Sequence, residues 1–345
     1  MKLSIIVPVY NMVADGKLAF CMDSLLAQTV EDYEIIAVDD CSTDDSLSLL
    51  RKYEKQNPDK VRVIASPENR RQGGAKNLGL RAAKGEWIGF IDSDDWIGQN
   101  YYKTLLDKAE ETGADIVACN YNITYEHSFE KGEIIRSNHA GQAGVLDEKK
   151  HADLLLNPGS MVTKIYKYSI FYENGLWFPE GMFYEDNCLG PLTLLCATHF
   201  EYVDEADYYY FQHGTSTVHH VDLQKCNDRL TTMEYLIQEC YKRDFLQEYP
   251  AEIEYRFTEI FYVNTLFTYM LGMPFHKRRL SYVKLLREGI LAYFPDFWQN
   301  PYFQEKQDAE VKRLTKMHVE SPFKFYWYYT LLCFYRKVRK SLRKK

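Results

Sequence analysis

Five short apolar runs alternate with helical stretches through residues 3–119, and that alternation leaves few folds open to the chain. The runs are residues 3–9, 33–38, 61–65, 86–91 and 115–119. Between them, residues 16–27 carry Leu18, Cys21, Met22, Leu25 and Leu26 at helical spacing. Ser42-Thr43-Asp44-Asp45 reads as a helix start with Leu47, Leu50 and Tyr53 on one face, and Asn57-Pro58 stops it. Gly73-Gly74 opens a third helix that packs through Ala75, Leu78, Leu80 and Ala82, and residues 100–112 form a fourth. Strands apolar on both faces and separated by helices predict an α/β fold with a mostly parallel central sheet flanked by helices.

In such sheets ligands bind beyond the carboxyl ends of the strands. The groups found there are Tyr10-Asn11, Asp39-Asp40 and Asp92-Ser93-Asp94-Asp95, three polar clusters on one rim. Two carboxylates about 4 Å apart repel by roughly 4 kcal/mol at an effective dielectric of 20, unless a proton or cation intervenes. A divalent ion removes that repulsion and also bridges the phosphates of a diphosphate ligand; all-oxygen ligands suit Mg²⁺ or Mn²⁺. Asp92 and Asp94 can share one ion or divide metal and ribose between them, while Asp95 suits a turn or helix cap. Asp39, directly after a buried strand, is placed to accept from a base imino N–H. Gln72-Gly73-Gly74 fits either a backbone approach to an anionic donor or a tight turn. Neither a dinucleotide-binding glycine fingerprint nor a GxxxxGK phosphate loop is present.

Charge and cysteine usage remove other classes. A formal net charge of −7 gives no reason to expect nucleic acid as a partner. The eight cysteines are dispersed without a CxxC pair, the pattern of reduced thiols in a cytoplasmic protein. The N-terminal apolar run is too short for a secretory segment, and no stretch of about 18 apolar residues follows to span a membrane.

The order Ser4-Ile5-Ile6-Val7-Pro8-Val9-Tyr10-Asn11, Val38-Asp39-Asp40-Cys41-Ser42-Thr43-Asp44, Gly73-Gly74-Ala75-Lys76-Asn77 and Phe90-Ile91-Asp92-Ser93-Asp94-Asp95 resembles family 2 glycosyltransferases with the GT-A fold. The resemblance covers roughly residues 1–215. It implies an inverting transferase that uses a nucleotide-diphospho-sugar, commonly a UDP-sugar, in bacterial capsule, exopolysaccharide or lipopolysaccharide assembly. It places Pro8, Val9, Tyr10, Asn11 and Asp39 around the nucleoside, with Asp39 facing uracil. Asp94 would hold Mn²⁺ or Mg²⁺, and Asp92, with Ser93 beside it, would serve metal, ribose or sugar. Lys76 and Asn77 stand where the family usually carries Ala-Arg-Asn, and lysine keeps that charge without the bidentate fork.

In the second half, residues 121–145 suggest a loop or small hairpin, and Leu146-Asp147 begins a helix. Residues 161–168 read as a strand, and Glu185-Asp186 marks a loop-to-helix junction. On its own that pair reads as a helix cap. The resemblance instead implies Asp186 as the base that takes the acceptor proton, with Glu185 positioning the acceptor. Residues 202–211 form another strand; chains of the family that this one resembles carry a Tyr-Arg pair where it has Tyr210-Phe211, and His213 just beyond reads as a substitute phosphate partner, a third metal ligand or an ordinary loop histidine. Helices are expected at 222–243, 253–271, 279–293 and 308–319, with Tyr255, Phe257, Phe261, Tyr262 and Phe267 in a core or interface.

The expected organisation is a catalytic domain at 1–215, a helical region at 216–320 that packs on it or dimerises, and an aromatic, basic tail at 321–345. Within the catalytic domain, residues 1–100 bind donor and 101–215 bind acceptor. Two placements stay open for the tail: rings entering an anionic membrane surface, making the protein peripheral on the inner face, or rings docked on the protein. The expected function is sugar transfer to a glycan or lipid-linked saccharide acceptor. Nucleotidyl transfer and non-catalytic nucleotide-sugar binding are the alternatives.

Overall fold

The computed structural model describes residues 1–212 and 221–342. The chain divides into two compact units, Met1–Thr215 and Ser216–Lys345. His213 lies outside the described residues.

The first unit is built on one sheet. Its strands are β1 (Leu3–Val9), β2 (Tyr33–Asp39), β3 (Val61–Ala65), β4 (Trp87–Phe90), β5 (Trp96–Ile97), β6 (Ile116–Thr124), β7 (Glu133–Ile135), β8 (Gly144–Val145), β9 (Lys164–Lys167) and β10 (His199–Phe211). Their order is β3-β2-β1-β4-β9-β6-β10-β5, with β7 on β6 and β8 on β10. The β3-β2-β1-β4 half is wholly parallel, as its doubly apolar strands require. Beyond β4 the sheet is mixed, because β9 runs antiparallel to both β4 and β6. Only Lys164–Lys167 of the expected strand at 161–168 pairs, and the chain then turns into the helix Tyr168–Glu173. β5 has two residues, too few for a periodic signal, and exists by pairing with Tyr208 and Tyr209 of β10.

Register fixes where the site forms. Val9 lies opposite Asp39, and Ile6 lies opposite Phe90, so β1, β2 and β4 end on one rim. Beneath it, Ile5, Val7, Ile35, Leu18, Met22 and Ile91 are fully buried in one core. That core holds the loops by their roots while the carboxyl ends stay open.

The helix Arg71–Ala82 starts two residues before the glycines predicted to open it. Gly73 therefore lies in the first turn of the helix instead of a tight turn before it, and a Cβ there would run into the Pro179 carbonyl oxygen. Its missing side chain lets the 178–180 loop lie directly on the helix.

The second unit is helical. Asp222, Asp147 of the first unit and Asp308 each cap a helix by accepting from the backbone N–H three residues on, as their positions predict. The helix expected over 253–271 is three pieces: Pro250–Phe257, a π-helical stretch Thr258–Asn264, and Thr265–Gly272. The Thr265 hydroxyl donates to the Ile260 carbonyl five residues back, a local pattern that apolar spacing does not encode.

His318 is fully buried between two polar partners. Its Nε2 lies 2.8 Å from the Val283 carbonyl, so Nε2 carries the proton and Nδ1 accepts from the Tyr262 hydroxyl at 2.6 Å. Burial pushes the imidazole down to about 4. Between about pH 6.5 and 4 the unfolded chain takes up a proton that the folded state refuses, so His318 withdraws up to about 3 kcal/mol of stability. Urea unfolding at pH 7 and pH 4.5 is expected to show that loss in the wild type and its absence in His318→Gln. Equal slopes would refute it.

Candidate active site

The rim carries two polar clusters with different wiring. In the first, Asp39 is 1% exposed; its Oδ2 accepts from the Ser42 N–H at 3.2 Å, and its Oδ1 is buried with no partner. An orphaned carboxylate oxygen at a sheet rim is a ready acceptor for a ligand N–H, since leaving it unpaired costs about 1–3 kcal/mol. Asn11, at φ 54°, ties the loops after β1 and β2 together: its Oδ1 accepts from Thr43 N at 2.8 Å and Asp44 N at 3.3 Å. Tyr10 is 44% exposed beside it, while Pro8 and Val9 are buried in β1. Asp40 accepts from the Arg70 N–H at 2.8 Å, which fastens the N-terminal end of the Arg71–Ala82 helix to β2.

The second cluster brings Asp92, Asp94, Glu185 and Asp186 within electrostatic reach of one another. Asp92 is partly buried and accepts from Gln72 Nε2 at 3.3 Å. Burial pushes its carboxyl up to about 6; the Lys76 ammonium opposes the rise, and Asp94, Glu185 and Asp186 add to it. Four acids against one ammonium leave an excess of negative charge that suits a cation. Among the described residues no three His, Cys, Asp or Glu side chains group as a metal cage.

Asp95 belongs to the scaffold. It is fully buried, accepts from the Tyr208 hydroxyl at 2.6 Å and from the Phe211 N–H at 2.9 Å, and so staples the acidic turn to β10. Ser93 is buried within that turn, which the Asp95 N–H closes onto the Asp92 carbonyl.

Glu185 and Asp186 are adjacent but opposite in environment. Glu185 is 3% exposed, and its Oε1 lies 2.7 Å from Lys76 Nζ, itself 3% exposed. Burial disfavours the Lys76 cation, but Glu185, Asp92 and Asp186 outweigh it and raise its pKa. Asp186 is the first residue of the helix Asp186–Cys196 and is exposed. Tyr184, at φ 66°, turns the chain into that helix.

Asn77 is fully engaged within the protein. Its Nδ2 donates to the Phe178 carbonyl and to Glu180 Oε1, both at 2.9 Å, and its Oδ1 accepts from the Phe178 N–H at 3.0 Å. Sequence reasoning placed Asp40 on the rim and the Gln72-Gly73-Gly74 backbone beside an anionic donor or in a tight turn, named no partner for either side chain, and gave Glu180 no role. Gln72 meets Asp92, Glu180 also pairs with Arg70 at 3.3 Å, and Asp40 holds the helix start. In sequence Asp40 is marked by the strand end and Gln72 by the glycine pair after it, while Glu180 carries no local signal.

A parallel half-sheet with an unpaired carboxylate oxygen and an acidic turn on its rim, met by an acidic helix start, is the GT-A type of architecture. The chain belongs to glycosyl transferase family 2. The family profile matches residues 4–174. The putative glycosyltransferase EpsH of Bacillus subtilis is 32% identical over 260 residues, 73% of each chain. A poly(ribitol-phosphate) beta-glucosyltransferase of Bacillus spizizenii is 32% identical over 218 residues, which span 61% of this chain and 32% of that protein. The crystal structure of S. aureus TarS 1-349 in complex with UDP-GlcNAc superposes with a TM-score of 0.69 at 22% identity, covering 100% of this chain and 92% of that one. That likeness establishes the fold, including the helical extension.

Proposed function

We propose that the protein transfers a sugar, with inversion, from a UDP-sugar to a hydroxyl of a glycan or lipid-linked acceptor on the cytoplasmic side of the cell. Residues 1–100 hold the nucleotide and 101–215 present the acceptor. The observation that carries the reading is the split of the Glu185-Asp186 pair: Lys76 sequesters Glu185, and Asp186 is left exposed above the acidic turn. Asp39, through its unpartnered Oδ1, accepts from the uracil N–H, and Tyr10 lies against the base. The UDP-GlcNAc of the TarS complex supports a uridine donor.

Asp186 accepts the proton of the acceptor hydroxyl as that oxygen bonds to the anomeric carbon, and the bond from that carbon to the diphosphate oxygen breaks. Glu185, fixed by Lys76, holds the helix start that carries Asp186. Asp94 and Asp92 would hold a divalent ion, Mn²⁺ or Mg²⁺, which when bound supplies positive charge to the leaving diphosphate.

A screen of nucleotide-sugars with Mn²⁺ and with Mg²⁺, reading released products, tests the assignment. Release of UDP without pyrophosphate is expected. Release of sugar 1-phosphate from the nucleotide-sugar, or of pyrophosphate when a nucleoside triphosphate and a sugar phosphate are supplied instead, would replace it with nucleotidyl transfer, and binding without any turnover would leave a carrier of nucleotide-sugars.

A further inference from the structure

The last described helix, Pro322–Leu342, has two apolar faces. One is inward: Phe325 is fully buried and Tyr329 is 4% exposed, with ring centroids 6.3 and 5.4 Å from Phe267. Phe325 also lies 4.9 Å from the His318 ring. The helix is thus part of the second unit's core, in line with the docked placement of the tail.

The other face is left exposed by the described residues. Phe323, Trp327, Leu331, Phe334, Tyr335 and Val338 are between 41% and 67% exposed. At 3.6 residues per turn they fall within an arc of about 120°, roughly opposite the buried rings. The patch continues sideways: Phe275 is 55% exposed with its ring 6.5 Å from Trp327, and Leu271, at the end of the helix Thr265–Gly272, is 61% exposed. Single exposed rings are ordinary, but a continuous stripe of this kind marks a contact surface.

Charge selects the occupant. Residues 322–345 contain eight lysines and arginines and no acid, and 271–287 add Lys277, Arg278, Arg279, Lys284 and Arg287, again without an acid. Arg336 is spent on Glu310, which it contacts at 2.6 and 2.8 Å. Lys324, Lys337 and Arg339 are exposed along the stripe. Among the described residues no helix is long and apolar enough to cross a membrane. An apolar stripe edged by cations on a helix that cannot span fits a surface that is apolar just below and anionic above.

We infer that the outer face of Pro322–Leu342, with Leu271 and Phe275, seats the protein on an anionic lipid bilayer. The rings enter the headgroup boundary while Lys324, Lys337 and Arg339 meet lipid phosphates. The inference is independent of the proposed sugar transfer. It places a lipid-linked substrate and the enzyme on the same surface.

Deleting the tail is a poor test because it removes Phe325 and Tyr329 from the core. Full-length protein is instead floated with vesicles of phosphatidylcholine alone and with phosphatidylglycerol added. The wild type is expected to float with the anionic vesicles and much less with the neutral ones, and to lose binding in high salt. Trp327→Glu/Leu331→Glu/Phe334→Glu, all at exposed positions, should lower partitioning at least tenfold with unchanged circular dichroism, as should Lys337→Glu/Arg339→Glu. The difference in tryptophan emission between wild type and Trp327→Phe should shift to the blue on anionic vesicles. Unchanged flotation of the triple variant overturns the inference. So does a wild-type dimer in light scattering that the triple variant converts to monomer without any vesicle binding, which would give the face to a second copy of the chain.

Discussion

Asp186→Asn is expected to lose sugar transfer by about 10²–10⁴-fold, the usual weight of a positioned proton acceptor. The amide is nearly isosteric and keeps the start of the helix Asp186–Cys196, but it cannot take a proton at neutral pH. Donor binding should survive, because Asp39, Tyr10 and the acidic turn lie on other loops. Titration of UDP in the presence of Mn²⁺ should give a dissociation constant within about threefold of wild type, which by the usual conversion is under 1 kcal/mol. The same change at Glu185 tests a different role, since that carboxylate serves Lys76. Wild-type turnover by Asp186→Asn would move the base elsewhere and remove the central assignment.

Lys76→Met carries the second large effect, and it falls on stability. Lys76 and Glu185 form a buried pair at 2.7 Å, joining the helix Arg71–Ala82 to the helix that begins at Asp186. Removing one member of such a pair costs about 3–5 kcal/mol, because the other is left buried and charged. For a protein with a net stability of roughly 5–15 kcal/mol, that is a substantial share. The double variant Lys76→Met/Glu185→Gln should recover most of the loss. Denaturant unfolding of the four proteins closes the cycle, and additive effects of the two substitutions would mean that the pair is not coupled. Hydrogen exchange over residues 178–196 should rise in Lys76→Met, because Phe178 and Glu185 are both held from the Arg71–Ala82 helix.

Lys76 also illustrates where sequence reasoning stopped. Its neighbours in the chain placed it in the motif beside the donor, and on that basis it was expected to touch donor or scaffold. Its partner lies 109 residues away, and no local pattern announces a pair formed across two helices. Asn77 follows the same logic: its three hydrogen bonds all go to residues 178 and 180. Asp95 reads in sequence as a turn or cap residue beside Asp92 and Asp94, with no partner named. The fold separates it from them through Tyr208 and the backbone of Phe211. The C-terminal rings showed a similar split, in that their sequence could not say which would face inward. Phe325 and Tyr329 do because Phe267 and His318 meet them.

The sequence by itself determined the parallel half of the sheet, the rim on which Asp39 and Asp92 end their strands, and the helix starts at Asp147, Asp222 and Asp308. Each of these rests on periodicity or on hydrogen bonds between near neighbours, which a short window contains. Tertiary structure alone decided the turn of β9, the pairing of the two-residue β5, and the partition of the Glu185-Asp186 pair into a sequestered and an exposed carboxylate. Those outcomes depend on contacts between segments far apart in the sequence, whose free energies exist only once the chain has closed on itself.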